Sequence, residues 1–226
     1  MRRIEAKAYW DKRYSKSLDW CLEPSVTAKR FLNYIYENNN FENRFKILDI
    51  GCGYGRDSIF IANFLRNSQI IGVDVSKVAI ELATSLKNTL SLNNLLFIET
   101  DALSISDKKL GNSFDFVLSH LFIHLFDYKG RLSLYQKFKN LLKPKGLFFF
   151  SVPTVYDEEF RKGKCLGIYT YKNDRGVTKT FFNKDKITCE IQHHGFEVLH
   201  VYREKEIHFH SKKHVHDLFV VIGGKT

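Results

Sequence analysis

The sequence predicts an α/β protein: a mostly parallel sheet with helices on both faces, finished by an antiparallel C-terminal hairpin. Three observations carry that reading. From residue 45 to 153, short apolar runs alternate with segments of helical period, the pattern of strands joined by crossover helices. A glycine-rich turn, GCGYG at 51–55, follows the first of these runs. The last two strand-like runs, FEVLHVYREKEIHF and HDLFVVIGG, are joined by a link too short for a crossover, so they pair antiparallel.

Residues 1–40 read as two helices that cap the domain. Aromatic and polar positions alternate at helical spacing through Ala8, Tyr9, Trp10 and Tyr14, and apolar positions recur at Val26, Ala28, Phe31, Leu32 and Ile35. NNNFENR is a loop. FKILDI is the first strand, and the glycine turn leads into a helix over 59–65. QIIGVDV is the second strand and SKVAIELATSLKNTL the next helix. LLFIETDA and SFDFVLSH are strands three and four. KGRLSLYQKFKNLL is a helix, KPKG a turn and LFFFSVP strand five. KDKITCEIQHHGF is a helix that ends at Gly195. With only three prolines and no repeat or linker, residues 1–226 read as one domain.

Hydrophobic residues make up 44% and aromatics 15%, with 20 Phe and 11 Tyr, enough for a sizeable, ring-packed core. The net charge of +10 would suit nucleic acid, an acidic surface or an anionic ligand. The charges are interspersed without a long basic run, which favours charge spread over the surface. Cys21, Cys52, Cys165 and Cys189 form no C-x-x-C pair and read as reduced thiols, so a cytoplasmic location is expected. No apolar run approaches the roughly 20 residues of a membrane span, and the N-terminal stretch has no apolar signal core.

A glycine turn between strand and helix brings backbone N–H groups close to a ligand. A dinucleotide fingerprint would require glycine where Arg56 stands, and no G-K-[ST] follows. The spacing present is D-x-G-x-G-x-G, from Asp49 through Gly51 and Gly53 to Gly55. It resembles the first motif of class I S-adenosyl-L-methionine (SAM)-dependent methyltransferases, and the resemblance runs in order over about 47–152. It implies a Rossmann-like methyltransferase sheet and SAM as cofactor. Asp74, at the end of IIGVDVS, then takes the ribose hydroxyls. TDA supplies Asp101 and the Ala102 backbone to the adenine. Asp49 holds the turn and meets the ligand's amino group. Cys52, Arg56, Val75, Ser119 and His120 complete the cofactor set. LLKPKGLFFFSV resembles the family's turn before strand five, with Lys145 in place of the first glycine.

The acceptor is less legible. Strand four ends in Ser119-His120 rather than [DN]-P-P-[YFW], which disfavours base-amine and glutamine methylation, and no Pro-Cys nucleophile is present. His120 and His124 are four apart; either is a candidate general base, with Asp127 as orienter, or a packed wall of the SAM site. GCGYGRDSIFIA resembles the small-molecule branch related to tellurite-resistance and thiopurine methyltransferases. The long stretch 151–182 then forms a substrate lid. It carries Tyr156, Phe160, Tyr169, Tyr171, Phe181 and Phe182 with Arg161 and Arg175, an aromatic and cationic set suited to a small acceptor. AYWDKRY resembles the cap helix of such enzymes, with Trp10, Tyr14 and then Trp20 closing the site. The alternative is an RNA or protein methyltransferase that uses the basic surface. His208, His210, His214 and His216 could together present imidazoles to zinc or nickel, but pocket-wall positions are the plainer reading and no metal is assigned. The oligomeric state is not encoded in any motif found.

Overall fold

A computed structural model describes residues 3–16, 23–38, 42–105, 114–209 and 213–225. The chain runs α1 (Arg3–Tyr14), α2 (Val26–Glu37), β1 (Lys46–Ile50), α3 (Arg56–Phe64), β2 (Gln69–Asp74), α4 (Lys77–Thr89), β3 (Leu95–Glu99) and β4 (Phe114–Ser119). It continues through α5 (Tyr128–Leu141), β5 (Leu142–Pro153), β6 (Lys164–Gly167), β7 (Thr170–Lys172), β8 (Thr178–Thr180), α6 (Lys184–His193), β9 (Phe196–Phe209) and β10 (Lys213–Lys225). The main sheet has seven strands in the order β3-β2-β1-β4-β5-β10-β9. β1 to β5 are mutually parallel, and β10 runs antiparallel to both β5 and β9. The order reverses after β1, so the ends of β1 and β4 open a crevice where α/β sheets bind ligands.

Period-2 alternation sorts each central strand between two cores. Ile47, Ile70, Phe116 and Phe149 face α2, α3 and α4, packing with Phe31, Ile35, Ile61 and Ala83. Leu48, Ile71, Val117, Phe148 and Phe150 face α5 and α6, against Leu134, Phe138, Ile187 and Ile191. Both faces are therefore covered, and the central strands are almost continuously apolar for that reason.

The structure adds local detail. Lys145 has φ +62, the left-handed conformation that glycine would take most easily there. Within 151–182 the chain forms a second, three-stranded antiparallel sheet, β6-β7-β8, where the sequence showed only a long insertion. A bridge between Thr154 and Phe182 closes the base of that insertion. α1 lies on α4: Asp11 Oδ1 accepts from Ser76 Oγ at 2.6 Å and from Val78 N at 3.3 Å, at the first turn of α4.

Candidate active site

The site begins where β1 ends. Gly51, Gly53 and Gly55 have φ of +76, +54 and +83, a region that side-chain-bearing residues rarely enter. Space excludes side chains as well. A Cβ on Gly51 would lie 2.4 Å from the Phe122 ring, and one on Gly53 would lie 2.5 Å from the Tyr14 hydroxyl. The turn is sewn to the end of β2: Gly51 N and Cys52 N donate to Val73 O at 2.8 and 3.0 Å. Cys52 is buried, and burial pushes its thiol pKa well up.

Asp74 stands beside this turn. One carboxylate oxygen accepts from Gly53 N at 3.0 Å and the other from Ser76 N at 2.9 Å. A carboxylate has about four acceptor sites, so capacity remains for a diol. Burial raises the Asp74 pKa, against the pull of these backbone bonds. Asp49 is buried beneath the turn and accepts from Ser58 Oγ at 2.6 Å. Burial, and then the charge of Asp57, push its pKa up to about 7. Asp101 caps the 3₁₀ turn Ala102–Ser104 and accepts from Leu103 N at 3.0 Å, with Ala102 buried behind it. The carbonyl of Val75 receives Lys7 Nζ at 3.4 Å, and Lys7 also pairs with Glu99 at 2.7 Å. Those contacts bring α1 over the ends of β2 and β3.

Arg56 is engaged elsewhere. Its guanidinium holds Glu206 at 2.8 Å and the Glu23 carbonyl at 3.3 Å, so it anchors the β9 strand and the approach to α2 onto the turn. Ser119 Oγ donates to Ile50 O at 3.0 Å and locks β4 to β1. His120 Nδ1 lies 2.8 Å from Ser151 Oγ and 3.0 Å from Thr27 Oγ1, while Nε2 faces Glu206 Oε1 at 3.4 Å. Ser151 Oγ also accepts from Leu121 N at 3.0 Å, which fixes the hydroxyl beside the ring. His124 is only 3% exposed, and its Nδ1, like Nε2 of His120, has no hydrogen-bond partner. Burial lowers its pKa well below the usual range, and the nearby cationic side chain of Lys179 lowers it further. Asp127 orients neither histidine; it caps α5 through Gly130 N at 2.8 Å.

The covering residues divide. Tyr14 reaches the glycine turn, and Trp10 packs beside it with ring centroids 6.0 Å apart. Tyr169 is half-buried on α6, where Asn183 Nδ2 donates to its hydroxyl at 3.3 Å. Tyr156 is 65% exposed with the Arg203 guanidinium 4.1 Å over its ring, and Arg175 is exposed in the β7–β8 turn. Tyr156 precedes the β6–β8 meander and Arg175 lies within it. Trp20 and His210 lie outside the described residues, as does the side chain of His208.

Sequence reasoning missed Thr27, Ser151 and Glu206, which surround His120. Glu206 lies 150 residues from Arg56 in the chain, and no local spacing signals their meeting.

Comparison with known proteins agrees with this geometry. A family model described as "Methyltransferase domain" matches residues 41–207. An uncharacterised protein of Rickettsia prowazekii is 33% identical over 111 residues, which is 49% of this chain and 43% of that protein. The chain spans about half the length, or less, of the first curated relatives it matches. The Burkholderia thailandensis 1,6-didemethyltoxoflavin-N1-methyltransferase, solved with its toxoflavin precursor and S-adenosylhomocysteine, superposes with a TM-score of 0.71 at 16% identity, covering 100% of this chain and 91% of that one. TehB from Haemophilus influenzae gives 0.61 at 13% identity, covering 97% and 67%. The glycine turn under positive φ and the acidic residue closing β2 both lie in the matched region, within a seven-stranded sheet that ends in an antiparallel pair. The chain therefore belongs to the methyltransferase-domain family, with the class I SAM-dependent fold.

Proposed function

We propose that the chain is an enzyme that transfers the methyl group of SAM to a small-molecule acceptor. When bound, SAM supplies an electrophilic methyl on a sulfonium, which the acceptor's nucleophile displaces in line. The residues at the turn fit it. Asp74 offers its remaining acceptor sites to a ribose diol, and Asp101 lies at the end of the next strand for the adenine. The carboxyl groups of Asp49, Asp57 and Asp74 gather at the turn in a chain of net charge +10, an acidic locality that suits a cationic ligand.

The observation that carries the small-molecule reading is the cover. α1 folds onto the glycine turn and places the Tyr14 hydroxyl over Gly53. We assign the other side of the cover to the segment 151–182, whose Phe160, Tyr171 and Phe181 pack edge to face. Such a cover would exclude water and orient a small acceptor, which is what an in-line displacement needs from the protein. Of the two histidines, we assign the general-base role to His124, whose Nδ1 has no hydrogen-bond partner, and a wall role to His120, held by Ser151 and Thr27.

The test is transfer of labelled methyl from SAM to cell extract fractionated into small molecules, RNA and protein. Label in the small-molecule fraction is expected. Label in RNA or protein alone would overturn the acceptor class, and no transfer to any fraction would count against the activity.

A further inference from the structure

The lid and the hairpin meet in a cluster of ligating side chains that the cleft chemistry leaves unused. Asp157 and Glu159 lie two apart at the start of the lid, and His214 and His216 lie two apart on β10. Each of the four offers a donor atom, and these atoms all lie within 4.8 Å of one another. From this geometry we infer that Asp157, Glu159, His214 and His216 form a site for a first-row divalent transition metal.

The donor set is two imidazoles and two carboxylates, a combination that suits Zn²⁺ and its neighbours. Strand periodicity explains the histidines: at i and i+2 on β10 they share a face, and their rings lie 4.2 Å apart. Asp157 is fixed in advance. It is 4% exposed, and its carboxylate accepts from Glu159 N at 2.9 Å and Asp217 N at 3.0 Å. The same carboxylate lies 2.9 Å from His216 Nδ1, so the fold already brings these donors together.

Charge points the same way. Asp157 and Glu159 are joined by Glu158, whose carboxylate is 3.4 Å from His214 Nδ1. Lys179 binds Glu159 and supplies one positive charge against these three carboxylates. A divalent ion would complete the balance and take over the place of the Lys179 ammonium on Glu159. Tetrahedral donors at about 2.0–2.1 Å from a metal are about 3.4 Å apart, so closing the cluster requires shifts of about an ångström. Glu159, His214 and His216 are only partly buried, which leaves room for shifts of that size. The ion would bolt the start of the lid to the sheet.

The full chain, stripped with a chelator, is titrated with Co²⁺ and followed by visible absorption and calorimetry. One Co²⁺ per chain is expected, with the intense d–d bands of a four- or five-coordinate ion, bleached by excess Zn²⁺. His214→Gln and Glu159→Gln, both at partly exposed positions, should each weaken binding by about tenfold or more. His193→Gln, exposed on α6, should leave it unchanged. Absence of such bands in the wild type, or bands and affinity that survive both substitutions, overturns the site. Should either variant fail to fold by circular dichroism, protease cleavage of the wild-type lid decides: protection by Co²⁺ supports the site, and unchanged cleavage refutes it.

Discussion

Asp49 lies among three carboxylates, with Asp57 and Asp74, and its folded-state pKa of about 7 exceeds the ordinary 3.8. Between those two values the folded chain holds a proton that the unfolded chain has released. This group's contribution is therefore fully present at about pH 4 and is lost as pH rises through 7. Asp49→Asn stays neutral throughout, so its Tm should exceed that of the wild type at pH 8, with the gain vanishing towards pH 4; an equal gain at both ends would contradict the shift. The two histidines should separate by phenotype. His124→Ala should lower kcat/KM by about 10² or more with SAM affinity intact, from loss of proton transfer. His120→Ala should instead lower stability by about 1–3 kcal/mol, because the Ser151 and Thr27 hydroxyls lose their partner. Full turnover in His124→Ala would return that residue to a packing role. The sequence showed both imidazoles at one spacing. It did not show which one is hydrogen-bonded, because Thr27 and Ser151 lie on other elements.

At the scale of elements, the docking of α1 depends on one carboxylate. Asp11 accepts from Ser76 Oγ and Val78 N, so a residue of α1 helps cap α4. Asp11→Ala should cost about 0.5–2 kcal/mol, as losing a helix cap does. It should also speed SAM release in stopped-flow and expose residues 3–14 to protease. Unaltered release and cleavage would mean that Lys7 alone holds the helix. The helical period of α1 was legible in the sequence, but its contact with α4 was not. The segment 151–182 gave the converse case. Its aromatics were visible as a set, yet Tyr156 and Arg175 are exposed and Phe181 is buried. Composition names such a set, and only strand register sorts it.

The whole molecule is tied across its α5–α6 face by a buried pair. Arg131 grips Glu190 through two hydrogen bonds of 2.6 and 2.9 Å, and also reaches the Phe126 carbonyl and Thr180 Oγ1. Tyr135 adds its hydroxyl to Glu190 at 3.1 Å. One guanidinium thus links α5, α6 and β8. Glu190→Ala should cost about 3–5 kcal/mol by leaving Arg131 buried and unpaired, and Glu190→Gln should cost less; denaturant midpoints measure both, and a loss below about 1 kcal/mol in Glu190→Ala would show that water reaches Arg131. Among the described residues, no helix is long and apolar enough to cross a membrane. By itself the sequence determined the strand order of events along the chain, the glycine turn, and the acidic residues that follow it. These are local: apolar period, backbone freedom and short spacing act within a dozen residues. Only the tertiary structure decided that Arg56 belongs to Glu206, that His120 Nδ1 meets the Thr27 and Ser151 hydroxyls, and that Asp157 and Glu159 meet His214 and His216. Those pairings join residues tens to more than a hundred positions apart, and their contact exists only once the sheet has brought its strand ends together.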